Sequence, residues 1–189
     1  MSAPAHHHAA GTGWCLFDSP VGACALAWNE ADEVTGCWLP ETGGAEALRQ
    51  RVRRRHPELR ETAPPAAMQA VIARLDAALR GAPDTLEDVP LDLSATPPFH
   101  RRVYAAARRL APGQTCRYGD LAQQLGEPGS ARAIGQALGR NPFAPIVPCH
   151  RILAAGGHPG GFSAPGGLVT KLALLESEGA RFGAQDGLF

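Results

Sequence analysis

The sequence predicts an α/β N-terminal domain followed by a mainly α-helical C-terminal domain with a helix-turn-helix, in a winged-helix-like arrangement. Three observations favour this fold class. Short apolar runs separated by turn residues fill positions 14–39, and apolar residues recur at helical spacing from position 99 onward. A proline-rich stretch, residues 81–98, separates the two patterns and indicates a domain boundary near residue 95.

The N-terminal part is predicted to hold a three-stranded sheet and two helices. The predicted strands are the apolar runs 14–17, 24–28 and 34–39. Good helix formers predict helices at residues 45–55 and 66–79. We expect both helices to cover one face of the sheet, and one more short strand at residues 91–93.

The C-terminal part is predicted to begin with three helices. They cover residues 99–110, 118–125 and 131–138. Pro112-Gly113 ends the first helix, and Ser130 is well placed as the N-cap of the third. The second and third helices, joined by a turn that contains glycine, resemble a helix-turn-helix. Because many helical hairpins bind nothing, this motif alone does not assign DNA binding.

Composition excludes several classes of protein. The apolar runs are far shorter than the ~20 residues of a membrane helix, and no secretion signal is evident, so we expect a cytoplasmic protein. The five cysteines are scattered without C-x-x-C spacing, so we expect reduced thiols and no metal. A zinc site formed by Cys15, Cys24 and Cys37 with a histidine is a weaker alternative. The cluster His6–His8 is either a metal binder or a cloning remnant, and we exclude it from the fold.

Charge is distributed unevenly along the chain. Residues 1–96 carry eight Arg and thirteen Asp or Glu, whereas residues 97–189 carry ten Lys or Arg and five Asp or Glu. A positive C-terminal half suits contact with phosphate, and chance variation is the alternative.

The third predicted helix has an unusual outer surface. Ala131, Ala133 and Gly135 are small, so the backbone can approach a partner closely, and Arg132 is the one long cation of the first turn. Such an arginine can neutralise phosphate or enter a base stack as a wedge. The alternative is a helix that packs on a neighbour and leaves Arg132 in solvent.

Cys149 and His150 lie between apolar segments just after this helix. Three prolines predict an extended stretch before Cys149. A thiol has a pKa near 8.5, so a nucleophilic cysteine needs a nearby base or positive charge, and His150 and Arg151 are the nearest candidates. Because neighbours on an extended strand point to opposite sides, we expect a water between Cys149 and His150. An ordinary buried cysteine is the alternative.

The run Pro148-Cys149-His150-Arg151, preceded by Asn141-Pro142 and by residues 131–135, resembles the O6-alkylguanine-DNA alkyltransferases, or methylated-DNA:protein-cysteine methyltransferases. Similarity extends from about residue 99 to residue 179. The resemblance implies DNA repair by one transfer, without a cofactor, of a methyl or alkyl group from O6 of guanine to Cys149. O4 of thymine is a further expected target. The implied partner is double-stranded DNA containing O6-alkylguanine, bound by a monomer.

The resemblance also implies roles for single residues. Cys149 would accept the alkyl group, His150 would act as a base through water, and Glu178 would orient His150. Asn141 would hold the turn around the site, and Tyr118 would donate a hydrogen bond to the flipped guanine.

Further implied roles concern DNA and the pocket. Arg132 would fill the vacated place in the base stack, beside the DNA-binding residues Ala131, Ala133, Gly135 and Arg151. Ser163 and Lys171 would line the pocket near O6, and the carbonyl groups of Cys149 and Ile152 would meet the guanine amino group. The loop at residues 160–167 is about two residues longer than in many relatives, which makes Ser163 a less certain match.

These predictions together divide the chain into four parts. Residues 1–12 are expected to be a disordered tail, 13–95 the α/β domain, 96–183 the DNA-binding alkyltransferase domain and 184–189 a second tail. Two other functions stay open. One is a lesion sensor or helix-turn-helix regulator that binds DNA without chemistry, and the other is a thiol hydrolase that uses Cys149 and His150.

Overall fold

The computed structural model describes residues 13–181. The predicted tails and the His6–His8 cluster lie outside these residues. The strands are β1 (Gly13–Phe17), β2 (Cys24–Trp28), β3 (Val34–Trp38), β4 (Cys116–Arg117) and β5 (Ile152–Leu153). The helices are α1 (Gly44–Arg55), α2 (Ala66–Leu79), α3 (Pro98–Arg108), α4 (Tyr118–Gln124), α5 (Ala131–Gly139) and α6 (Gly167–Ser177). The predicted fold class is confirmed: a small sheet with two helices precedes a mainly helical part.

Strands β1, β2 and β3 form an antiparallel sheet in the order of the chain. The prediction that both helices cover one face is wrong. Leu48 and Val52 of α1 pack with Trp14, Ala25 and Ala27 on one face, whereas α2 packs on the other. Every residue of β2 is buried, because its unbroken apolar run supplies both faces of the sheet. The unbroken apolar run of β2 was therefore the sequence feature that indicated a sheet covered on both faces.

The predicted strand at residues 91–93 is also wrong. Leu91 makes a single isolated bridge to Val34, flanked by the hydrogen bonds of Pro90 and Asp92 to the same residue. The side chain of Asp92 then accepts a hydrogen bond from the amide of Ser94, which turns the chain away from the sheet.

Helices α4 and α5 form the predicted helical hairpin, and α3 packs against α5. The apolar face of α3 buries Val103, Tyr104 and Ala107 against α5. Ser130 occupies the predicted N-cap position of α5, but its side chain makes no capping hydrogen bond, because its backbone angles (φ −82°, ψ 10°) are not the extended ones of a capping residue. The Ser130 hydroxyl is buried without a hydrogen-bond partner among residues 13–181.

The two parts of the chain share one large hydrophobic cluster, which contains residues of the sheet, α2, α3 and α5. Two polar contacts join them as well. The amide of Cys37 in β3 donates to the carbonyl of Pro142 at 2.8 Å, and the Arg108 guanidinium donates to the carbonyls of Leu86 and Val89 at 2.7 Å each. None of the helices within residues 13–181 is long and apolar enough to cross a membrane.

Candidate active site

Cys149 stands at the start of a short 3-10 helix that follows a tight turn. The turn closes through the Val147 amide, which donates to the carbonyl of Phe143 at 3.0 Å. The predicted extended stretch is therefore wrong: the prolines exclude a helix, but the chain bends instead of extending. The 3-10 helix covers Cys149–Arg151 and leads directly into β5.

Asn141 fastens this turn with both ends of its amide. Its Oδ1 accepts the Phe143 amide at 3.0 Å, and its Nδ2 donates to the Val147 carbonyl at 2.9 Å. The same Nδ2 lies 3.4 Å from Sγ of Cys149. An amide N–H pointed at sulfur stabilises a thiolate more than a thiol, so Asn141 both shapes the turn and favours the ionised cysteine.

His150 and Glu178 form a buried pair beside the cysteine. Nε2 of His150 lies 2.8 Å from Oε1 of Glu178, and only 1% of His150 is exposed. An ionised carboxylate can only accept, so Nε2 carries the proton and Nδ1 keeps its lone pair. Nδ1 is buried and has no partner among the described residues. Burial lowers the pKa of His150, against the raising effect of Glu178, so the ring is a neutral base.

Arg151 shares the Glu178 carboxylate with His150. Its Nε and Nη2 donate to Glu178 at 2.7–3.2 Å, and its Nη1 donates to the Leu110 carbonyl at 2.5 Å. Burial alone would raise the pKa of Glu178, but the bonds from His150 and Arg151 outweigh it and lower the pKa to about 2. Glu178 therefore stays ionised at every pH at which the protein works.

The Cys149 thiol is buried, and burial raises its pKa. Several groups act in the opposite direction: the Asn141 amide, the positive charge of Lys171, and the backbone amides of Cys149 and His150. These groups reduce the rise that burial causes, but the pKa of the thiol stays above its ordinary value, so formation of the thiolate requires a base.

A cavity of about 390 Å³ opens above the thiol. Its lining consists of Tyr118, Gly135, Leu138, Gly139, Cys149, Gly161, Phe162 and Ser163. Most of these side chains are small or apolar, and Tyr118 and Phe162 supply aromatic rings. A flat apolar ligand the size of a nucleobase fits such a lining, with Cys149 as the reactive group within reach.

A second, outer groove of about 460 Å³ adjoins this cavity. It is lined by Arg117, Tyr118, Gly119, Asp120, Ala131, Arg132, Gly135, Ala154 and Ala155. Tyr118 and Gly135 belong to both linings. A Cβ on Gly135 would lie 3.8 Å from the Tyr118 ring, which is an ordinary van der Waals contact. Arg132 is exposed in the first turn of α5 and lines this groove.

Comparison with known proteins agrees with this geometry. Residues 98–180 match the family described as 6-O-methylguanine DNA methyltransferase, DNA binding domain. The methylated-DNA–protein-cysteine methyltransferase of Mycobacterium leprae is 44% identical over 176 residues, which cover 86% of this chain and 89% of that protein. The chain belongs to the methylated-DNA–protein-cysteine methyltransferase family.

Solved structures of the methyltransferase family have the same fold. The OGT of Mycobacterium tuberculosis in complex with DNA superposes with a TM-score of 0.70 at 34% identity, covering 89% of this chain and 93% of that one. The O6-methylguanine-DNA methyltransferase of Pyrococcus kodakaraensis gives 0.69 at 26% identity, covering 88% and 99%.

Most of the residues predicted for methyltransferase chemistry lie together. Cys149, His150, Glu178 and Asn141 are connected as described, and Tyr118 and Ser163 line the cavity. In the outer groove lie Ala131, Arg132 and Gly135, whereas Ala133 is exposed on the same helix but does not line the groove. The roles assigned to these residues remain predictions.

Three further residues with predicted roles are buried. Arg151 was predicted to contact DNA, but only 5% of it is exposed, because Glu178 and Leu110 bind its guanidinium inside the protein. Ile152 and Lys171, which were predicted for the substrate pocket, are fully buried, and their side chains do not line this cavity. The Ile152 carbonyl accepts a hydrogen bond from Nζ of Lys171 at 2.6 Å.

Sequence reasoning missed part of the cavity. Phe162 lines it, and its position next to Ser163 was the available signal. Gly161 and Gly139 also line it, and no side-chain pattern marks a glycine as part of a wall. Within residues 13–181 no group of His, Cys, Asp or Glu side chains could hold a metal ion, and Cys15, Cys24 and Cys37 therefore form no such group there.

Proposed function

We propose that this protein repairs DNA by taking a methyl or alkyl group from O6 of guanine and keeping it on Cys149. One observation carries the proposal. The thiol that Asn141 contacts lies in the wall of a base-sized cavity, next to a histidine whose free Nδ1 makes it a base. The names of its relatives describe the same activity.

Activation begins with the thiol proton. Nδ1 of His150 takes this proton through a water, and the Nε2–H bond to Glu178 stabilises the resulting imidazolium. The thiolate is stabilised by the Asn141 amide. Since the pKa of His150 is lowered by burial, the ring is in the neutral form that can accept the proton.

The alkyl group then moves to sulfur. The thiolate attacks the carbon of the alkyl group, the S–C bond forms while the C–O6 bond breaks, and the electron pair passes to guanine. Tyr118, in the cavity wall, donates a hydrogen bond to the departing base, and the proton held by His150 restores neutral guanine. The product is a thioether. Because nothing in this scheme regenerates the thiol, each molecule acts once.

A guanine inside a duplex is out of reach of this buried thiol, so the nucleotide has to rotate out of the stack. The outer groove supports this step, since its lining includes small residues of α5 together with Arg132. We assign to Arg132 the place that the rotated base leaves. O4 of thymine presents an equivalent alkylated oxygen and is a second target.

The division of the chain near residue 95 is part of the proposal, with residues 96–183 as the DNA-binding alkyltransferase domain. All groups assigned to the chemistry lie in this part. We place the protein in the cytoplasm, because its target is DNA and its five cysteines are free thiols, as in a reducing compartment.

The test is to mix excess protein with O6-methylguanine duplex DNA and to measure intact mass and peptide masses. One methyl group per lesion should move to Cys149, and none to the other four cysteines. Cys149→Ser should bind the same DNA and gain no mass, since a hydroxyl does not ionise beside His150. Binding by the wild type without a mass change would favour a lesion sensor, and repair of many lesions per molecule would exclude a single-use acceptor.

A further inference from the structure

Arg117 occupies a position where local structure gives no reason for an arginine. It is the N-cap residue of α4, with extended backbone angles (φ −85°, ψ 152°), and its side chain makes no capping hydrogen bond. Ser, Thr, Asp and Asn are preferred there because their oxygens accept hydrogen bonds from the first amides of the helix, and arginine has no acceptor. Those amides also carry partial positive charge, which repels a cation.

No group among the described residues binds the Arg117 guanidinium. The side chain is exposed, and it forms no hydrogen bond or ion pair within residues 13–181. Arg108 and Arg151, by contrast, donate hydrogen bonds to carbonyl groups or to a carboxylate inside the protein. The Arg117 guanidinium is therefore available for an anion from outside the chain.

The main chain of Arg117 is held beside the segment that carries the thiol. Strand β4 pairs in parallel with β5, with Cys116 opposite Ile152 and Arg117 opposite Leu153. Strand β5 directly follows the 3-10 helix that contains Cys149. Because successive side chains of a strand point to opposite sides, Cys116 is buried and Arg117 is exposed. The backbone of Arg117 thus has a fixed place relative to the active site.

Arg117 and Arg132 are the two cationic residues among those that line the outer groove. Arg117 directly precedes Tyr118, and Arg132 lies one helical turn before Gly135. Tyr118 and Gly135 are the residues that line both the groove and the cavity. Asp120 also lines the groove, but a carboxylate is favourable in the first turn of a helix, and Asp120 forms no ion pair with Arg117 in the described part of the chain.

A base that enters the cavity leaves the phosphates of its nucleotide outside, in the outer groove. The Cα atom of Arg117 lies about 3.8 Å from that of Tyr118, which lines the cavity, so its side chain is close to the path of this nucleotide. Arg132 is assigned to the base stack, which leaves Arg117 as the other cation of the groove. A guanidinium can bind a phosphate through two parallel N–H bonds.

We propose that the Arg117 side chain binds a phosphate next to the rotated nucleotide, on the strand that carries the alkylated guanine. This proposal rests on the proposed function. It gives the two cations of the outer groove different roles, since Arg132 enters the base stack and Arg117 holds the backbone of the same strand. DNA binding is then the reason for a residue type that the N-cap of α4 does not favour.

Arg117→Ser tests this role because it should change stability and DNA binding in opposite directions. Serine can accept the capping hydrogen bond that arginine cannot, so the urea midpoint of unfolding should rise. Binding to an O6-methylguanine duplex is measured with Cys149→Ser in every protein, so that no transfer occurs. The affinity should fall, and the slope of log affinity against log salt concentration should become less steep by about one. Loss of both stability and affinity would make Arg117 a structural residue and overturn the proposal.

Two further variants are the controls. Arg117→Lys keeps the positive charge and should keep the salt slope of the protein with arginine. Arg54→Ala removes an exposed arginine from α1, outside the groove, and should leave the slope unchanged. The proposed function is tested separately, by the mass of wild-type Cys149 after exposure to methylated DNA. If the methyl group is transferred and the salt slope of Arg117→Ser is unchanged, the proposal for Arg117 alone fails.

Neutral linkages in the DNA identify the phosphate. Duplexes are made in which a methylphosphonate replaces a single phosphate on either side of O6-methylguanine, or one on the opposite strand. At one linkage next to the lesion, the replacement should weaken binding by the protein that has Arg117 and have little further effect on Arg117→Ser, which has already lost the contact. Equal weakening of both proteins at each linkage next to the lesion would overturn the proposal.

Discussion

Arg151 and Glu178 form a two-pronged buried ion pair, in which Nε and Nη2 of the guanidinium bind the carboxylate that also accepts a hydrogen bond from Nε2–H of His150. The pair joins three elements, because Arg151 follows the acceptor cysteine, Glu178 ends α6, and the Gly113 amide donates to Glu178 at 3.3 Å. The relay proposed to activate the thiol therefore depends on the same ion pair that connects the 3-10 helix to the end of α6. Changes in this pair should affect stability and chemistry together.

Replacing Glu178 by Gln should slow transfer to Cys149 by about a hundredfold, at the lower end of what a general base contributes. Gln cannot stabilise the imidazolium that His150 forms, so the neutral ring becomes a weaker base. Single-turnover rates with methylated DNA measure the effect. Glu176→Gln, an exposed change two residues away, is the control and should react like the wild type. Equal rates for Glu178→Gln and Glu176→Gln would show that Glu178 takes no part in the relay.

Replacing Arg151 by Met should destabilise the fold by about 3–5 kcal/mol, because it leaves the Glu178 carboxylate buried with one partner fewer. The control is Arg102→Met, whose pair with Glu127 is half exposed and should cost at most about 1 kcal/mol. Urea unfolding measures both. Since Arg151 is buried, the salt dependence of DNA binding should not change in Arg151→Met. A weaker salt dependence in Arg151→Met would show that Arg151 does contact DNA.

Replacing Asn141 by Asp should slow the reaction with free O6-benzylguanine at neutral pH by about tenfold or more. The new carboxylate would stand where an amide N–H now faces Sγ, and a like charge raises the pKa of the Cys149 thiol. Asn141→Ala loses the donor without adding a charge and should react faster than Asn141→Asp. The reverse order would mean that Asn141 acts only through the shape of the turn.

Replacing Arg132 by Ala should slow repair of duplex DNA by about tenfold or more and hardly change the reaction with free O6-benzylguanine. The free base needs no flipping, whereas the duplex has to be opened at a cost of a few kcal/mol. Arg54→Ala, which removes an exposed arginine from α1, is the control and should leave both rates unchanged. Equal slowing with both substrates would place Arg132 in the pocket.

Acid should weaken the fold through Glu178. Its pKa is about 2 in the folded protein and near 4.3 in an unfolded chain, so its contribution is complete above the unfolded value and is lost as the pH falls toward 2. Between about pH 6 and pH 3 we expect this group to account for about 2 kcal/mol of lost stability. Urea unfolding of Glu178→Gln at the two pH values should show a correspondingly smaller loss than the wild type.

The fold was largely predictable because its signals are local. Strands, helices and their ends follow from apolar periodicity and from proline and glycine, and the bounds agree to within a residue or two for most elements. The arrangement of α1 and α2 on opposite faces was not predicted, since it depends on how both faces of β2 are covered.

The site was predictable as a set of residues but not as a set of contacts. Pro148-Cys149-His150-Arg151 identified the right segment, but residues two positions apart in a 3-10 helix can have different surroundings: Cys149 lines the cavity, whereas Arg151 binds Glu178. Arg151 was assigned to the DNA surface because a positively charged side chain can bind phosphate. Its burial is decided by a carboxylate 27 residues away, which no local pattern contains.

The hydrogen bond from the Cys37 amide to the Pro142 carbonyl connects the sheet to the turn before Cys149 through main-chain atoms alone. A main-chain bond does not depend on which side chain stands at either position, apart from proline at the donor. Side-chain substitutions can therefore accumulate in the sheet while this hydrogen bond still connects it to the turn that Asn141 shapes. Divergence in the first ninety residues is thus compatible with an unchanged reaction, provided that the third strand keeps its path past residue 142.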